Sequence, residues 1–299
     1  MIPVKLPSLY LFPALFKGLG IASINRIRNI STEGLRSMDT RNMFPSEVAE
    51  ERFHKIRDIV VDWYEKNCLR TEIESFDYDL SKKEGRLKIF VLGIFFNCIF
   101  QEKKARQTFS EMERHGYLEI DELDNFEANM KNVIKNLNEK TGRSWKVLKI
   151  QDMIDSVRAL KEIFSKEDDV IGILREKDVE DFIKYFYEKM SGIKAKLFWI
   201  CRECRDHFKI SEEYCYVPDS HVISFLYNIR FLERKGVYSL EECIEISRDM
   251  AKFFSNKYFD LPFMRYHQEM CKKCEQGNES GCKIACRLNR KSDEFPKLG

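Results

Sequence analysis

The chain has 299 residues, enough for one large domain or two smaller ones with a sizeable core. Hydrophobic residues make up 43% and charged residues 33%, which excludes a disordered chain. A formal net charge of +2 excludes a strongly basic global field, so any nucleic-acid surface must be a local basic face. Glycine (13) and proline (7) are scarce, which favours helices over a turn-rich β fold.

The first twenty residues, MIPVKLPSLYLFPALFKGLG, are apolar but broken by Pro3, Pro7 and Pro13, so they lack the uninterrupted core of a signal peptide. Ile24–Met38 could form a short helix. From Ser46 to Leu69 the residues Val48, Phe53, Ile56, Ile59, Val60, Trp63 and Tyr64 recur at helical spacing. Residues 71–85 are polar and form a connection. Residues 86–100 are apolar nearly all round and predict a helix buried on every side. The run stops at Gln101-Glu102-Lys103-Lys104, too short to span a membrane. Further helices are predicted over 101–114, 121–137, 144–163, 166–175, 178–192, 195–207, 220–233 and 240–256. Ser239 and Glu242 make a capping box at the start of the last. No series of alternating strands is present. The fold class is mainly α, the expected compartment is the cytoplasm, and the ten cysteines are read as thiols or metal ligands.

Four of those cysteines, Cys271, Cys274, Cys282 and Cys286, fall within sixteen residues, in a polar segment with Gly277 and Gly281. Four soft thiolates on a short loop suit an iron–sulfur cluster or tetrahedral zinc, and the spacing does not choose between them. Cys201 and Cys204 lie inside a predicted helix, with Cys215 beyond its turn. They are either packed core thiols or redox and metal partners of the terminal four, in which case all six should cluster.

Between residues 191 and 222 two chemically suggestive groups bracket one helix. Ser191-Gly192-Ile193-Lys194-Ala195-Lys196 is a tight turn in which Gly192 would permit a positive backbone angle. The next helix would offer its unpaired N–H groups, and Lys194, to a phosphate. Lys196, beside Phe198 and Trp199, would be a better amine nucleophile if its charged form were disfavoured. Val217-Pro218-Asp219-Ser220-His221 then enters another helix, with Asp219 as N-cap or as a carboxylate that stabilises positive charge on a sugar.

These segments resemble the helix–hairpin–helix DNA glycosylase superfamily, in particular its endonuclease III and archaeal 8-oxoguanine glycosylase branches. GIKAK (192–196) sits where the family has its hairpin and lysine, with Lys194 in place of the second glycine. VPDSHV (217–222) matches the aspartate segment. FFNCIFQEKKAR (95–106) looks like the helix whose end faces DNA, with Gln101 at the inserted position. The four-cysteine loop follows the last helices, although its spacing differs from that of endonuclease III. The resemblance covers residues 86–290. It implies a central helical domain over 86–219 and a second formed by 1–85 with 220–299, carrying a 4Fe–4S cluster or zinc. It further implies a monomer, with no membrane partner, that acts on double-stranded DNA with a damaged base. Its chemistry would be base excision with AP-lyase activity through a Schiff base on Lys196, supported by Asp219. Gln101, Gly192 and Lys194 would contact DNA.

Overall fold

The computed structural model describes residues 47–68, 78–99, 101–142, 147, 149–166, 178–278 and 281–288. The expected helices at Ile24–Met38 and 166–175 fall outside them, apart from Lys166 itself, which lies just beyond a helix end. The described residues are mainly α-helical, and their one extended pairing is an isolated bridge between Ile99 and Val147.

In chain order the helices are α1 (Glu47–Asn67), α2 (Lys83–Cys98), α3 (Glu102–Arg114), α4 (Phe126–Thr141), α5 (Ile150–Phe164), α6 (Val179–Lys189), α7 (Lys196–Phe208), α8 (Ser220–Asn228), α9 (Leu240–Phe254), α10 (Leu261–Tyr266) and α11 (Lys272–Glu275). A π-helical turn, His267–Cys271, joins the last two into one run. Sequence periodicity places most of these within a few residues, because their apolar faces are regular. Helix α8 is shorter than expected. It ends at Asn228, and Arg230 turns the chain with a left-handed φ of 65°. The α10–α11 run is not anticipated, because it carries Pro262 and a polar end; proline at the start of a helix is no obstacle to it.

Helix α2 is the axis of the larger core. Leu87 and the run from Ile89 to Phe95 are buried, and α2 packs on α3, α5 and α7. Its start is close-packed too. Arg86 donates to the carbonyls of Leu80 and Ser81, both at 2.9 Å, which ties the segment before α2 to its first turn. The core around α2 gathers α3 to α7, together with Leu240 and Ile244. A second apolar cluster gathers α1, α8, the rest of α9, α10 and Ile284. Helix α9 therefore contributes one end to each. Among the described residues, no helix is long and apolar enough to cross a membrane.

Candidate functional site

The turn between α6 and α7 is built by close approach. Gly192 donates its N–H to Ser156 Oγ of α5 at 2.8 Å, and its carbonyl accepts from Asn97 Nδ2 at 3.0 Å. A Cβ at this position would sit 2.7 Å from the Asp152 carbonyl oxygen and 2.8 Å from Ser156 Oγ. Glycine is needed here for space. The expected positive angle is instead at Lys194, with φ 41°, where the resembling family has its second glycine. The backbone N–H groups of Lys194 and Ala195 have no partner among the described residues, and the Lys194 side chain is exposed.

Lys196 opens α7 and Asp219 caps α8. Asp219 Oδ1 accepts from the N–H groups of His221 (2.9 Å) and Val222 (3.0 Å). Its other oxygen lies 3.5 Å from Lys196 Nζ. The two side chains are 21% and 16% exposed, so the pair is neither solvated nor sealed. Amine and carboxylate, 23 residues apart in sequence, therefore face each other across the α7–α8 loop. Phe198 and Trp199 are buried in the larger core, Trp199 edge-on against Phe96 at 5.1 Å.

Charged groups collect around this pair. Glu102, at the start of α3, accepts from Arg106 (2.9 Å) and from Arg265 of α10 (3.2 Å). Burial alone would raise its carboxyl, but Arg106, then Arg265 and Lys196, hold it below the usual range. Gln101 precedes it, exposed at the tip between α2 and α3, with φ 76°. Few non-glycine residues are held there, and such strain concentrates at functional sites. His221 points its Nδ1 at His267 Nδ1, 3.2 Å away. Burial lowers the His221 imidazole, Asp219 opposes this, and Lys272, Lys196 and Arg265 reinforce it. Burial pushes His267 down to about 4, with His221 adding to the effect, so both rings are neutral near pH 7.

The cations near this pair are only partly available to a partner. Arg202 is mostly covered, 11% exposed, and paired with Asp260 at 2.8 Å, and Arg106 is occupied by Glu102. Lys103 and Lys194 remain exposed. Three clefts formed by described residues, of about 450, 290 and 120 Å³, have walls that do not include Lys196 or Asp219. The largest lies beside Arg265, between Trp63 of α1 and Lys273 of α11.

The terminal cysteines converge on the second cluster. Burial, then Cys282, Cys286 and Cys274, push the Cys271 thiol far above its usual range. The Tyr266 hydroxyl is 3.2 Å from Cys282 Sγ. Asn228 Nδ2, buried and lacking a hydrogen-bond partner among the described residues, lies where it would stabilise a Cys271 thiolate. Four thiols this close, with an amide N–H beside one of them, would suit a cation bound in their midst. Among the described residues, no three or more His, Cys, Asp or Glu side chains are arranged so as to hold a metal ion. Cys201, Cys204 and Cys215 belong to the other core. Burial raises all three, Cys204 and Cys215 to about 12. The six cysteines of the redox reading therefore do not form one cluster.

No protein-family model matches this chain, nor does any curated protein or any solved structure. What fold and site define is a helical protein with a lysine–aspartate pair at the junction of two apolar clusters.

Proposed function

We propose that the chain is a DNA base-excision enzyme, an N-glycosylase with AP-lyase activity, working on double-stranded DNA as a monomer in the cytoplasm. The observation that carries this reading is the approach of Lys196 Nζ to Asp219 Oδ2, with half the carboxylate committed to the α8 cap. The finer layout read with it is a central domain over 86–219, with its hairpin at 192–196, and a second domain of 1–85 and 220–299.

In this reading the damaged nucleotide is extruded from the duplex and its anomeric carbon is brought within reach of both groups. The base departs with the electron pair of the glycosidic bond. The Asp219 carboxylate stabilises the positive charge that develops on the sugar. Lys196, as the free amine, donates its lone pair to the anomeric carbon and loses a proton. Ring opening gives a protonated imine, and loss of a C2′ proton expels the 3′ phosphate. Gln101 enters the gap left by the base. The unpaired N–H groups of Lys194 and Ala195, the backbone of Gly192 and the Lys194 ammonium hold a phosphate.

Cys271, Cys274, Cys282 and Cys286 would hold a 4Fe–4S cluster, or zinc as the alternative. Bound there, it would supply a structural cross-link at the end of α11, and no step above passes through it.

The test is borohydride trapping on duplexes that carry a panel of base lesions. A covalent adduct is expected with the parent protein and none with Lys196→Ala; Asp219→Asn should slow base release by about a hundredfold or more. A protein that binds these duplexes but yields no adduct and no free base on any of them is a binding module, and this reading is then withdrawn. Absorbance near 400 nm on the purified protein distinguishes iron–sulfur from zinc.

A further inference from the structure

Behind the Lys196–Asp219 pair lies a second carboxylate to which the sequence offers no pointer. Asp260 is only 2% exposed. Its Oδ1 accepts from Arg202 Nη1 at 2.8 Å and from the Val217 backbone N–H at 3.1 Å. Arg202 is on α7, the helix that Lys196 opens, and Val217 is two residues before Asp219. One buried oxygen thus ties the lysine's helix to the aspartate's loop.

The chain is bent to place it. Phe259, immediately before Asp260, has φ 55°, an outlier for a bulky residue. Its ring lies under two guanidinium groups, Arg202 at 5.8 Å and Arg205 at 5.2 Å, and against Tyr216 at 5.4 Å. Asn256 staples the turn, donating through Nδ2 to the carbonyls of Phe254 and Phe259, both at 2.8 Å. The same turn grips the loop it faces, since the Asn256 N–H donates to the Tyr216 hydroxyl at 3.3 Å. Tyr216 in turn donates its N–H to Ser247 Oγ of α9 at 3.2 Å. Strain at Phe259 persists because these contacts over-determine it. A buried ion pair seldom adds net stability over an apolar pair of similar volume, so its retention calls for another role.

We propose that Asp260, through Arg202 and the Val217 N–H, is a positioning residue. It sets the approach of Asp219 to Lys196, and touches neither DNA nor the reacting carbon. The proposal rests on the base-excision reading for its kinetic consequence but not for its geometric one.

Both are tested with Arg202→Met/Asp260→Leu, which removes the tie without leaving a buried charge unpaired. The variant is expected to remain folded, judged by unchanged amide exchange at Ile154 and Val157 of α5. Exchange at His221 and Val222, the amides that Asp219 caps, should quicken about tenfold. Turnover should fall about a hundredfold, with KM within about twofold of the parent. Arg202→Lys should recover part of the loss. Parental exchange at His221 and Val222 in the folded double variant overturns the proposal, as does parental turnover. If the double variant does not fold, Arg202→Lys alone decides, and parental values for both readouts overturn it. A parent protein inert on every duplex removes the base-excision reading, and the exchange measurement then decides the positioning claim by itself.

Discussion

Asp219 gives one oxygen to the α8 cap and turns the other towards Lys196, and substitution can separate the two. Asn keeps an oxygen for the His221 and Val222 N–H groups but removes the charge that faces Lys196. Ala removes both. Asp219→Asn is therefore expected to leave urea stability nearly unchanged, whereas Asp219→Ala should lose about 1 kcal/mol, the usual worth of an N-cap. Base release should slow by about a hundredfold or more in both. Equal stability of the two variants would mean that the cap is not held through the carboxylate. The same scale shows what a sequence can reveal. An aspartate just before an apolar helix announces itself as a cap, and a lysine just after a glycine turn announces a helix start. Asp260 makes no such announcement, because its partners lie 58 and 43 residues away and its own neighbourhood, Tyr-Phe-Asp-Leu-Pro, is unremarkable.

At the scale of elements, the α6–α7 turn exchanges the roles expected of its residues. Gly192 is needed because α5 approaches it, not for its torsion angle. Gly192→Ala should cost about 1–3 kcal/mol by pushing Asp152 and Ser156 away. Lys194 carries the left-handed angle with an exposed side chain, so Lys194→Gly should be neutral or stabilising by up to about 1 kcal/mol. Paired denaturation curves test the contrast, which reverses if the turn's demand is torsional at 192. Helix boundaries were legible because burial follows a 3.6-residue period. The π-turn at His267–Cys271 was not, since an inserted residue leaves that period almost unchanged over one turn. Helix α9 carries its own pH response. Burial, with Glu245 nearby, raises Asp249 to about 7 from a usual 3.8. The folded state then binds more protons at this group than the unfolded one between these values, so its contribution to stability is highest below about pH 4 and falls as pH rises towards 7. Asp249→Asn should therefore stabilise the protein by on the order of 1 kcal/mol or more at pH 8 and by little at pH 4. Parallel stability–pH curves for the two proteins would contradict this.

At the scale of the whole molecule, the consequential fact is that Cys201, Cys204 and Cys215 sit in a different apolar cluster from Cys271. Cys201, Cys204 and Cys215 are protonated packing groups around α7, inert because burial opposes the thiolate. Of the terminal four, Cys271, Cys282 and Cys286 lie near Tyr266 and the end of α8, where Cys271 and Ile284 belong to the second cluster and Arg287 reaches the Asn228 and Tyr227 carbonyls. This cluster is the smaller one, and a metal bound to the four would cross-link α11 to residues 281–288. Its loss should therefore loosen one side of the molecule first. Replacing Cys282 with Ser, or stripping metal with a chelator, is expected to abolish metal content measured by mass spectrometry. Amide exchange should then quicken in α1, α8 and α10 and stay at parental rates in α2 and α5. Cys204→Ala should do the reverse: metal content is retained, and about 1–2 kcal/mol is lost from the larger core as a small cavity opens around α7. Metal that follows Cys204 instead, or exchange that rises uniformly on chelation, would mean that the two clusters act as a single cooperative unit with a shared thiol chemistry.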